Sequence, residues 1–129
     1  MEKLVTLTVP CYNSAAYMRH CVDTLLTAGE QAEIILVDDG SVKDETPAIC
    51  DEYAAKYPTI VRAIHQENGG HGEGVNQGIR NAQGTFFKVV DSDDWADVDA
   101  LAAVLKKLRE LEDAHAELDM MIFNYVYEH

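Results

Sequence analysis

Asp91-Ser92-Asp93 is where residue type and spacing in this sequence first point to chemistry. In extended backbone, residues i and i+2 point to the same side, so the two carboxylates face one way. Like charges placed so close repel unless a cation sits between or near them. An all-oxygen donor set suits hard cations such as Mn²⁺ or Mg²⁺, which often take one or two carboxylates plus substrate phosphates. Asp91 and Asp93 are therefore read as metal ligands, and Asp94 and Asp97 as residues that cap the following helix. A single D-x-D is common by chance, so its surroundings must carry the argument.

Asp38-Asp39-Gly40-Ser41 is a second acidic turn. An aspartate at a strand end can accept hydrogen bonds from a base or ribose. The alternative is an Asx-turn between strand and helix. Ligand contact is assigned to Asp39, while Asp38 is equally readable as structural. Tyr12 offers a ring that either stacks on a base or packs half-buried. Gly69, Gly70 and Gly72 let the backbone approach a ligand or hinge. His71 is the one histidine in a candidate functional loop, and it is read as solvent-exposed. No G-x-G-x-x-G follows the first strand, which excludes the usual nicotinamide and flavin fingerprint, and G-x-x-x-x-G-K-[ST], G-x-S-x-G and H-E-x-x-H are absent.

The elements that must position these clusters alternate strand and helix. Leu4 to Val9 reads as a strand stopped by Pro10. Ser14 caps a helix with Tyr17, Cys21, Val22, Leu25 and Leu26 on its apolar face, ended by Gly29. Glu33 to Val37 is a buried strand. The next helix carries Ile49, Tyr53 and Tyr57 and stops at Pro58. Ile60 to Ile64 is a third strand. Glu73 to Ala82 is a helix with Val75, Ile79 and Ala82 inward, and Thr85 to Val90 a fourth strand. Asp97 caps a helix striped by Leu101, Val104, Leu105, Leu108 and Leu111. Asp119 to Val126 is a last strand. Strands separated by such helices pair in parallel through right-handed crossovers. The fold class is α/β, a Rossmann-like, doubly wound, mostly parallel open sheet. Such sheets bind ligands beyond the C-terminal ends of their strands. Pro10 to Asn13, Asp38 to Ser41 and Asp91 to Asp94 all follow strands, so they should meet on one rim.

The 129 residues fit one domain. Acidic residues number 23 against 10 basic ones, a net charge of −13 that repels nucleic acid and anionic lipid. A phosphorylated ligand needs a cation or backbone N–H groups to offset that field. Cys11, Cys21 and Cys50 form no C-x-x-C pair and read as three reduced thiols of a cytoplasmic protein. Neither a signal peptide nor an apolar run of about 20 residues is visible.

Together the clusters resemble the family-2 inverting glycosyltransferases of GT-A fold. The resemblance rests on T-V-P-C-Y-N (8–13), I-L-V-D-D-G-S-V-K-D-E-T (35–46), N-G-G-H-G-E-G-V-N-Q-G-I-R-N-A-Q-G (68–84) and V-V-D-S-D-D-W (89–95), four segments in order. It implies a nucleotide-sugar donor site. The segment Pro10 to Tyr12 lines the base, Asp39 bonds it, Asp91 and Asp93 face the ribose and the diphosphate, and Asn13, Gly70 and Ser92 complete the donor contacts. Asp93, with Asp91, holds Mn²⁺ or Mg²⁺ against the diphosphate. The implied reaction is in-line attack by an acceptor hydroxyl on the anomeric carbon, with inversion, from a donor such as a UDP-sugar. The acceptor would be a glycan, a lipid-linked glycan or a protein, in the cytoplasm or at the inner face of the membrane. Many relatives have A-R-N where this chain has Gly74-Val75-Asn76, so phosphate neutralisation should lean on metal and backbone. The family's general base and acceptor-binding region lie beyond the position of His129. Residues 1–129 are thus expected to be a donor-binding domain that does not turn over alone.

Three other readings stand beside this one. A non-catalytic nucleotide-binding module would share the same clusters. A phosphoacceptor receiver domain is also acidic and α/β, but it places its acidic pair after the first strand and a lysine after the last. A dehalogenase-type phosphatase needs D-x-D-x-[TV] after the first strand, where this chain has none.

Overall fold

Four strands make the frame: β1 (Val5–Cys11), β2 (Ala32–Asp39), β3 (Val61–Gln66) and β4 (Phe86–Val89). The computed structural model describes residues 3–41, 44–113 and 127–128. The strands pair in parallel in the order β3-β2-β1-β4. Helices α1 (Met18–Leu25), α2 (Thr46–Lys56) and α3 (His71–Asn81) connect them, and α4 (Val98–Asp113) follows β4. The chain adds β2 and β3 on one side of β1, then returns to lay β4 on the other. That reversal opens a crevice beyond the C-terminal ends of β1 and β4. The first four of the five expected strands are present. The expected strand from Asp119 to Val126 lies outside the described residues. A short antiparallel pair, β5 (Trp95–Ala96) with β6 (Tyr127–Glu128), was not foreseen.

The main core lies on one face of the sheet. Val5, Leu7, Val9 and Cys11 of β1 cluster there with Met18, Cys21, Val22 and Leu25 of α1 and Ile49, Cys50 and Tyr53 of α2. Leu101, Val104, Leu105 and Leu108 of α4 join them, as the stripe predicts. Asp97 caps α4, its Oδ1 accepting the Ala100 N–H at 3.0 Å. No helix among the described residues is long and apolar enough to cross a membrane.

Three expectations need correction. Pro10 does not stop β1, which runs on to Cys11 with Pro10 opposite Val37. Thr8 turns its carbonyl toward Val90, and Pro10 has the same parity, so its missing N–H faces the side where β4 has already ended. Ser14 does not cap α1 with its side chain. Its carbonyl instead accepts the Tyr17 and Met18 N–H groups, α1 starts at Met18, and Tyr17 is exposed where Met18 is buried. Gly29 does break the helical path as expected: its φ of +68° interrupts the tight helical segment Leu26–Gln31 that follows α1.

The third correction concerns the face of α3. Val75 and Ala82 are only half-buried and Ile79 is exposed, while Gly74 and Gly78 are buried. The second face of β1 presents Thr6, Thr8 and Pro10, and α3 lies so close that a Cβ on Gly78 would sit 2.3 Å from Thr8 Cγ2. A Cβ on Gly74 would sit 3.2 Å from Pro10. Apolar periodicity therefore points to the wrong face, because contact here is made by the absence of side chains.

Replacing Gly78 by Ala should overpack this contact by about 1–3 kcal/mol, exceeding the ~1 kcal/mol gain in helix propensity. Gly72→Ala, whose Cβ meets nothing within 4 Å, is the control. Urea unfolding should show Gly78→Ala less stable than Gly72→Ala; equal midpoints would contradict the close approach.

Candidate functional site

The first loop on the rim, Tyr12 to Ala15, is held by its own backbone donors. Tyr12 N–H donates to Ser14 Oγ at 3.0 Å and Asn13 N–H to Ser41 Oγ at 2.9 Å. Ser14 N–H donates to Thr46 Oγ1 at 2.7 Å and Ala15 N–H to Asp44 Oδ2 at 3.0 Å. Four successive N–H groups thus end on side-chain oxygens, three of them from the segment after β2. Asn13 adopts a φ of 49°, a left-handed conformation that Asn tolerates better than most residues. Tyr12, in this clamped loop after β1, is 47% exposed, which leaves an aromatic side chain open to a planar ligand.

Asp39 is 5% exposed at the end of β2. Its Oδ1 accepts the Gly69 N–H and the Gln66 amide, both at 2.8 Å, and its Oδ2 accepts the Gly70 N–H at 3.0 Å. A carboxylate has about four acceptor sites, so one remains open. Asp39 is thus first a clasp on the loop before α3. Gly40 makes this possible with a φ of +70°, since a Cβ there would come within 2.7 Å of Asn68 N. Gly70 caps α3, and its N–H is already committed to Asp39. The His71 side chain lies outside the described residues.

Asp38 points to the opposite face and was left undecided by sequence. Its Oδ1 accepts the Ser41 N–H at 3.0 Å, and its Oδ2 lies 2.9 Å from His65 Nδ1. Asp51 of α2 holds His65 Nε2 at 2.7 Å. The Asp38–His65–Asp51 chain supports the turn that carries Ser41, and no local motif announced it.

The acidic turn follows β4. Asp94 N–H closes it on the Asp91 carbonyl at 3.0 Å. That turn brings Asp94 to the same side as Asp91 and Asp93, and one carboxylate oxygen from each lies within 4.8 Å of the others. Asp94 was expected only to cap a helix, so the structure adds it to the candidate ligand set. The turn is fastened to α1 by Cys21 Sγ, which donates to the Asp91 carbonyl at 3.6 Å, and by Ala96 N–H on Thr24 Oγ1 at 3.0 Å. The His20 and Trp95 rings meet at 4.9 Å. Burial, then the charges of Asp94, Asp93 and Asp91, push the Cys21 thiol up to about 12. Burial also lowers the Lys88 ammonium on β4, against the opposing pull of Asp91 and Asp94. Ser92 is 9% exposed and turns its hydroxyl inward to Ser14 Oγ at 2.9 Å. The three clusters therefore do meet on one rim.

The hydrogen bond to Asp38, then that to Asp51, raises His65 to about 8. Its folded pKa exceeds the ordinary unfolded value of about 6.5, so its stabilisation is full below that pH and fades as pH rises through about 8. The ring is 41% exposed, so the effect is modest. An NMR titration should place the His65 midpoint near 8, and His65→Gln should flatten the stability change between about pH 6.5 and 8. A midpoint at 6.5 or below would sink this assignment.

The fold is shared with proteins of known structure. S. aureus TarS residues 1–349, solved in complex with UDP-GlcNAc, superposes with a TM-score of 0.72 at 27% identity, covering 84% of this chain and 32% of that one. A Pyrobaculum calidifontis mannosyltransferase solved with GDP-Man and Mn²⁺ gives 0.70 at 27% identity, over 81% and 32%. In sequence, the chain is 40% identical to EpsH of Bacillus subtilis over 125 residues, 96% of this chain and 34% of that protein. It is 39% identical to the glycosyltransferase GlyG of Streptococcus pneumoniae over 127 residues, 97% of this chain and 40% of that protein. The chain thus spans about a third to two-fifths of these relatives' length. The sheet is the GT-A arrangement, and the family description Glycosyl transferase family 2 matches residues 6–124, so the chain belongs to that family.

Proposed function

We propose that this chain forms the donor-binding domain of a glycosyltransferase that moves a sugar from a nucleoside diphosphate sugar, with UDP as the carrier, to an acceptor hydroxyl. The observation that carries this reading is the approach of the Asp91, Asp93 and Asp94 oxygens to within 4.8 Å at the strand-order switch. Family membership and the UDP and UDP-GlcNAc complexes of TarS support the donor class.

The donor set fits a hard divalent cation, since it is all oxygen and its three charges repel in the absence of one. Asp93 and Asp91 would hold Mn²⁺ or Mg²⁺, with Asp94 beside them; the Mn²⁺ of the Pyrobaculum enzyme supports the choice. When bound, the cation supplies Lewis-acid stabilisation to the departing diphosphate. The protein's own residues do the rest. Tyr12 offers its ring to the base beside Pro10, with Asn13 among the donor contacts, and Asp39 keeps one acceptor site for a base N–H. Asp91 turns toward the ribose. The N–H groups of residues 12–15, 69 and 70 are spent on internal oxygens, so the backbone of these two loops adds little to phosphate binding. The net charge of −13 makes the dependence on a cation stronger.

Attack by the acceptor hydroxyl in line with the leaving diphosphate inverts the anomeric carbon and needs a carboxylate base close to that hydroxyl. No residue of the rim is assigned that role, and the chain by itself is expected not to turn over. The acceptor would be a glycan, a lipid-linked glycan or a protein. Three free, buried thiols suit a reducing compartment and support work on the cytoplasmic side.

Calorimetric titration of UDP should show binding with Mn²⁺ and none with EDTA. Asp93→Ala should weaken it by about tenfold or more, as expected for loss of a charged ligand. Binding that is indifferent to both metal and Asp93 would contradict the reading.

A further inference from the structure

The base-side loop and the acidic turn are joined by one buried hydroxyl contact between residues 78 positions apart in sequence. Ser14 is 1% exposed. Its Oγ accepts the Tyr12 N–H at 3.0 Å, lies 3.2 Å from the Tyr12 carbonyl and 2.9 Å from Ser92 Oγ. A hydroxyl has one proton and two lone pairs. The Ser14 proton goes to the Tyr12 carbonyl, so the contact with Ser92 is completed by the Ser92 proton. Ser14 Oγ then accepts two bonds and donates one, and its capacity is full. The Ser14 N–H is held by Thr46, so Ser14 is fixed from the β2 side as well. Ser92 sits between Asp91 and Asp93, and a shift of its hydroxyl moves both carboxylates.

We infer that the Ser92–Ser14 hydrogen bond is a positioning device that sets the distance between the base-binding loop and the acidic turn, and so fits the site to a nucleoside joined to a diphosphate. This rests on the donor-site reading. Neither serine need touch the donor. The bond matters only to a ligand that reaches both sides at once, because either half alone keeps its own fastenings: Tyr12 to Ala15 on Ser41, Thr46 and Asp44, and the turn on Cys21 and Thr24.

The test compares three probes on wild type, Ser92→Ala and Ser92→Thr: uridine by NMR, Mn²⁺ alone by EPR, and UDP, GDP or dTDP with Mn²⁺ by calorimetry. Ser92→Ala should leave uridine and Mn²⁺ affinities within about twofold yet weaken the nucleoside diphosphate about five- to tenfold, the worth of one buried hydrogen bond. Ser92→Thr, which keeps the hydroxyl, should recover most of the loss. Unchanged diphosphate affinity in Ser92→Ala overturns the inference alone. Equal losses for all three probes with a lowered melting temperature also overturn it, since that is a general structural role. Failure of wild type to bind any of the three diphosphates with Mn²⁺ removes the donor-site reading, and this inference with it.

Discussion

The capture of loop N–H groups by side-chain oxygens is the constraint on which the rim depends. Ser14, Ser41, Asp44 and Thr46 take the four N–H groups from Tyr12 to Ala15, and Asp39 takes those of Gly69 and Gly70. Loops that leave a parallel sheet have lost their ladder partners, and buried N–H groups without acceptors are costly. Apart from the Tyr12 N–H, which stays within its own loop on Ser14, these donors find their acceptors on a separate segment of the chain. The result is a rim whose segments fix one another rather than each folding alone. It also uses up the donors that would otherwise cradle an anion.

That choice has a consequence for charge. Phosphate-binding folds often present a helix N-terminus or a nest of N–H groups. In this chain the two candidate nests are filled from within, and the net charge is −13. On the proposed donor-site reading, a diphosphate in the crevice would meet the acidic turn as its main partner, and two negative partners would require a cation between them. On that reading, metal dependence would follow from where the backbone donors go as much as from the D-x-D itself.

Much of this was legible in the sequence. The β-branched runs gave all four strands of the main sheet, and the position of polar clusters after strands gave the rim. What was hidden depends on long-range partners. Ser14 reads locally as a helix cap, but its hydroxyl bonds Ser92, 78 positions away. The buried face of α3 is set by Thr8 on another element, so glycines replace the apolar stripe. Asp94 looks like a cap until the backbone turn at Asp91 swings it beside its neighbours. His65 carries no motif, and only the register of β3 on β2 brings it to Asp38. Pattern identifies elements; contacts between elements decide which side chains are left to meet a ligand.

The most direct test is a crystal structure of this protein with UDP and Mn²⁺ bound. The result expected is a Mn²⁺ ion on carboxylate oxygens of Asp93 and its neighbours, the base against Tyr12, and Asp39 still holding the Gly69 and Gly70 N–H groups. A diphosphate seated directly on those N–H groups, with Asp39 displaced and no metal at the acidic turn, would contradict the assignment of charge neutralisation to the cation.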